Sequence, residues 1–97
     1  MKELIKKIKN YNTEEYNYLK CVEELAELSE VLLKKVNKKQ TEKEPKDQEI
    51  IDEIGDCIIR LNVLTEIFGE NKIDTRIHLK LNQFKTYIEN GEHNGRC

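Results

Sequence analysis

A chain of 97 residues with 19 acidic and 17 basic side chains, and a net charge of −2, fits one small domain with limited capacity to bury its own surface. So balanced a charge gives no electrostatic basis for binding a nucleic-acid polymer. No apolar run approaches the ~18–20 residues of a membrane span, and the first ten residues lack the apolar core of a signal peptide, so a cytoplasmic protein is expected.

The segment KELIKKIK (2–9) predicts a short amphipathic helix with Leu4, Ile5 and Ile8 on one side. Asn12 and Thr13 then form a helix-start signal, followed by Glu14 and Glu15, whose charge suits a helix N-terminus. From there to about Lys38, Tyr18, Val22, Leu25, Leu28, Leu32 and Val36 recur at steps of three and four, so a long helix with this stripe as its core face is expected. Residues 37–47, NKKQTEKEPKD, lose the periodicity and contain the single proline, which marks a connection. The lysines at 34, 35, 38, 39, 43 and 46 read as a solvated helix end, where cations suit the dipole; guiding an anionic ligand is the other reading.

A third helix is expected from about Asp47 to Phe68, with Gly69 as its C-cap, and a fourth from the Asn71–Asp74 restart to Gly91, carrying Ile73, Ile77, Leu81, Phe84 and Ile88. Residues 91–97 read as a frayed tail. The fold class is all-α, with residues 1–90 as a single helical domain. Cys21 and Cys57 fall on apolar helix faces and read as small core residues, whereas Cys97 ends the chain as an exposed thiol. His78 and His93 are isolated surface residues, and no glycine-rich phosphate loop is present.

The chemistry-bearing feature is acid set against core. On the third helix Ile50, Ile54, Cys57, Leu61, Leu64 and Phe68 share a stripe at ~100° per residue, and Glu53 and Asp56 lie along its edge, on the flank of Glu49 and Arg60. On the second, Glu24 and Glu27 flank the core face in the same way. If the two helices pack antiparallel, the pairs can face one another, and a hard divalent cation such as Mg²⁺ or Mn²⁺ would relieve the repulsion among four carboxylates. Gly55 would then let a partner helix or a phosphate come close. The competing reading is that such i,i+3 acid pairs lie on solvated faces, as they often do in a chain that is 37% charged.

EELAE (23–27) followed after 25 residues by EIGD (53–56) resembles the E-E-x-x-E … E-x-x-D signature of MazG-like nucleotide pyrophosphohydrolases, of the all-α NTP pyrophosphatase superfamily. The resemblance spans roughly residues 15–90. It implies an antiparallel helical bundle completed by dimerisation, and Mg²⁺-dependent hydrolysis of a nucleoside triphosphate to the monophosphate and pyrophosphate. Carried over by position, it implies Glu24, Glu27, Glu53 and Asp56 as metal ligands, with Mn²⁺ able to substitute, a supporting role for Glu23, and Lys80 of HLKLNQF beside the substrate phosphates. Tyr11, Tyr16 and Tyr18 could stack on a base, although Tyr18 fits core or subunit packing better.

Two other functions stand beside this one. Phosphoribosyl-ATP pyrophosphatase shares the acidic signature, but the long gap between the acid pairs and the lysine-rich connection favour the MazG-like side. A non-catalytic helical dimer, acting as a binding or regulatory module, is the rival of another class. Leu19, Val31, Leu33, Ile51, Ile59 and Val63, left over beside the main stripes, favour a homodimer or a pair of dimers in either case.

Overall fold

The computed structural model describes residues 1–37 and 45–91, and these form four helices: α1 (Lys2–Tyr11), α2 (Glu14–Val36), α3 (Asp47–Phe68) and α4 (Glu70–Glu89). No strand occurs among the described residues, and the all-α expectation stands. Lys38, Lys39 and Lys43 of the connection, together with His93 and Cys97 of the tail, lie outside the described residues. The chain forms two compact units, Met1–Ile67 and Phe68–Cys97.

Local chemistry sets the helix ends. Thr13 caps α2 by accepting a hydrogen bond from the Tyr16 amide at 3.1 Å, which satisfies one of the N–H groups that a first helical turn leaves free. Lys34 pairs with Glu30 at 3.1 Å in the last turn of α2, and Lys35 lies 4.0 Å from Asp47 at the start of α3. These contacts agree with the solvated helix-end reading for the part of the lysine run that is described. Gly69 has φ 108°, a backbone conformation open to glycine, and α4 begins at the very next residue rather than after Asn71.

In the first unit α2 and α3 run antiparallel. The Cys57 thiol donates to the Glu24 carbonyl at 3.2 Å, Lys35 meets Asp47 at one end, and Ile67 lines a pocket with Glu14 and Asn17 at the other. Cys21 and Cys57 are both buried as free thiols, as their small size and apolar setting predicted. α1 is tied on by buried Ile5 and by Asn17, whose Nδ2 donates to the Lys9 carbonyl at 3.3 Å.

The seam differs from the predicted core. Its α2 side runs through Asn17, Cys21, Glu24 and Leu28, and its α3 side through Glu53, Cys57, Arg60 and Val63. The stripes expected to be buried are largely exposed: Val22 is 62% accessible and Leu61 44%, with Leu25, Leu32, Val36, Ile54 and Phe68 also exposed. Val63, expected to need a second subunit, is instead 1% accessible inside the chain.

The reason is angular. At ~100° per residue, Tyr16, Lys20, Glu23 and Glu27 share one flank of α2, and Glu53, Asp56 and Arg60 share one flank of α3. In an antiparallel pair these flanks fall on the same side. Val22, Leu25, Leu32 and Val36, with Ile51, Ile54, Ile58 and Leu61, therefore share the opposite side. The unit has one polar side and one apolar side. Gly55 belongs to neither close contact nor the acid flank: a side chain added there would meet nothing within 4 Å among the described residues, so no close approach among them accounts for the glycine.

Candidate functional site

The polar side of the α2–α3 pair gathers acids. Glu24 and Glu27, one turn apart on α2, meet Glu53 of α3 so that one carboxylate oxygen of each lies within 4.8 Å of the others. Glu24 and Glu53 are half-buried, and the Oε2 atom of each is shut off from solvent with no hydrogen-bond partner of ordinary geometry among the described residues. The backbone explains how they meet: the small Cys57 side chain sits against α2 at the Glu24 carbonyl, which draws the two acid-bearing turns together.

Of the predicted site residues, the structure brings together Glu24, Glu27 and Glu53. Asp56 is exposed and outside that set, one turn further along α3, yet its charge is felt at Glu24. Glu23, outside that set, pairs with Lys20 at 3.2 Å. Lys80 belongs to the second unit, where its Nζ donates to Gln83 at 3.2 Å and lies 5.2 Å from the centre of the Phe84 ring.

The electrostatics are those of crowded like charge. Burial, then the neighbouring Glu27 charge and a side-chain hydrogen bond with Glu27, then the Asp56 charge, hold the Glu24 carboxyl above its ordinary value, and Lys20 works the other way. Burial pushes the Cys57 thiol up, with further contributions from Glu24, Cys21, Glu53 and Asp56; it is a packing residue, not a nucleophile. Burial likewise raises Cys21 against a weaker opposing pull from Arg60.

An oxygen-only donor set with two solvent-excluded, unpaired oxygens fits a hard divalent cation and does not suit soft-ligand metals. Sequence reasoning found these acids from spacing alone. It missed Asn17, 1% accessible, and Lys20, a cation that acts on Glu24, because neither belongs to an apolar or acidic periodicity. No protein-family model matches the chain, and no curated protein or solved structure does either.

The raised Glu24 carboxyl has a sign that can be measured. The metal-free folded state holds this proton more tightly than the unfolded chain, so the group favours folding below its ordinary value near 4.5 and that contribution is lost as pH rises through the raised value. In the presence of EDTA at neutral pH, Glu24→Gln should raise the melting temperature by a few degrees and flatten the fall in stability above pH 4.5, because its amide donates to the adjacent carboxylates. Differential scanning calorimetry across pH checks this. An unchanged or lowered melting temperature at pH 7 would mean the cluster carries no repulsion.

Proposed function

We propose that this chain is a Mg²⁺-dependent nucleoside triphosphate pyrophosphohydrolase that works as a homodimer. The observation that carries the reading is the convergence of Glu24, Glu27 and Glu53 from two helices, with two buried oxygens that find no hydrogen-bond partner among the described residues. The resemblance of EELAE and EIGD to the MazG-like signature supports it independently of that geometry.

In this reading Glu24, Glu27 and Glu53 hold the cation. When bound, the cation offsets charge on the phosphate oxygens and lowers the pKa of a water. Phosphoryl transfer asks the protein for positioning and charge neutralisation more than for covalent help. Water oxygen attacks the α-phosphorus, the bond to the bridging oxygen breaks, and pyrophosphate leaves. Asp56, exposed on the same flank as Glu53, takes the proton from the attacking water. For Lys80 the resemblance, through HLKLNQF, implies a role in stabilising charge on the substrate phosphates.

Dimerisation follows from the other side of the same helices. Val22, Leu25, Leu32, Ile51, Ile54, Ile58 and Leu61 are exposed together, a patch beyond what monomers of this size ordinarily leave in water. A second copy supplies a matching apolar surface through twofold symmetry, and it leaves the acidic side open to substrate. The non-catalytic dimer would use the same apolar side, so activity separates the two functions.

Pyrophosphate release from a panel of nucleoside and deoxynucleoside triphosphates is expected with Mg²⁺ and not with EDTA. Glu53→Gln should lower it by more than the roughly 10- to 100-fold that supporting residues of metal sites carry, and Lys80→Ala should reduce turnover without weakening metal binding. No release from any triphosphate would leave the binding module as the better account. Light scattering at micromolar concentration should give a mass of about twice 11.5 kDa; a stable folded species at the monomer mass would contradict the dimer.

A further inference from the structure

The polar side of the first unit does not end at the acids. Where α1 meets α2, an open pocket of about 430 Å³ is lined by Lys7, Ile8, Tyr11, Asn12, Tyr16 and Arg60. Its chemistry is specific: two aromatic rings and two cations around an open mouth. Neither Lys7 nor Arg60 forms an ion pair among the described residues, so both charges remain available to a ligand.

The fold holds these groups in place. The Tyr16 amide is bound by the Thr13 cap, in the first turn of α2. Tyr11 is the last residue of α1, and the chain turns through an extended Asn12 between them. Tyr11 is 90% accessible, so packing does not account for its ring being there. Arg60 is four residues beyond Asp56, one helical turn or ~6 Å along α3, and shares the flank of Glu53. Tyr16 and Glu27 share a flank of α2, ~16 Å apart along its axis. The pocket and the acid cluster therefore lie on one side of the same helix pair, with Arg60 between them.

We propose that this pocket receives the nucleoside end of a mononucleotide: the base stacks on Tyr16 and Tyr11, and the first phosphate lies against Arg60. This rests on the reading of the acid cluster as the end that takes the remaining phosphates through a cation. An aromatic ring offers every base a stacking face, and a guanidinium is suited to phosphate geometry. The tyrosines give affinity for the base without hydrogen-bond readout, so the pocket accepts more than one base.

Calorimetric titration of nucleoside 5′-monophosphates in EDTA tests the pocket apart from catalysis, with ribose 5-phosphate as the base-free probe. Monophosphates should bind the wild type and Glu53→Gln alike. Tyr16→Ala and Arg60→Gln should each weaken binding about tenfold or more, in line with measured stacking contributions, whereas Tyr16→Phe keeps it. Ribose 5-phosphate should bind more weakly and respond to Arg60→Gln but not to Tyr16→Ala. Tyr11→Ala, at a fully solvated ring, repeats the test where folding is not at risk, and circular dichroism checks helix content in each variant. Absent monophosphate binding, or binding indifferent to Tyr16 and Arg60, overturns the proposal. Binding that depends on these residues in a protein that hydrolyses no triphosphate supports the pocket and overturns the pyrophosphohydrolase reading; hydrolysis by a protein whose monophosphate binding ignores them does the reverse.

Discussion

Two carboxylate oxygens, Glu24 Oε2 and Glu53 Oε2, sit out of reach of solvent without a hydrogen-bond partner of ordinary geometry among the described residues, and a third acid, Glu27, crowds them. Such groups are costly to a fold, because burial without a partner forfeits the hydration that a carboxylate keeps in water. The chain nevertheless builds its main intramolecular seam around them. Cys57 bonds to the carbonyl of Glu24 itself, so the close approach of α2 and α3 and the meeting of the acids are one event. Turning these acids outward and Leu25 and Ile54 inward would take more apolar surface out of water, so the seam as built is not the one that buries most.

That rotation has a consequence for the whole unit. Because the seam is taken up by Asn17, Cys21, Glu24, Glu53, Cys57 and Arg60, the larger aliphatic side chains are turned to the far side of the pair. The polar side carries acids, unpaired cations and tyrosines; the apolar side carries little that is chemical. In the proposed homodimer this division assigns assembly to one side and substrate to the other, so that neither function constrains the residues of the other. A side chain at Gly55 would meet no neighbour within 4 Å among the described residues, which in the proposed homodimer leaves that position open to a second chain.

The elements themselves were legible in the sequence. Threonine and two glutamates at 13–15 announced the start of α2, the proline-bearing lysine run announced the connection, and Gly69 announced the break before α4. The acid cluster was legible because i,i+3 spacing on two helices is a geometric statement that survives packing. What periodicity could not supply was which flank turns inward. Val22 and Cys21 differ by one step on the helix, and apolar size alone favoured Val22; the small side chains at Cys21 and Cys57, which admit close helix contact, decided otherwise. Val63 was misplaced for the same reason, since a seam rotated toward Arg60 carries it inside. The tyrosine pocket was visible only as a cluster of rings, because Arg60 and Lys7 join it from helices far apart in sequence.

Crystals grown with Mn²⁺ and measured at the manganese absorption edge test most directly whether the acids form the proposed cation site. An anomalous-difference peak is expected bounded by Glu24, Glu27 and Glu53, about 2 Å from their oxygens, and it should disappear in Glu53→Gln. A Mn²⁺-soaked protein with no peak at these residues, and with Glu24 Oε2 bonded instead to a proton-bearing neighbour, would contradict it.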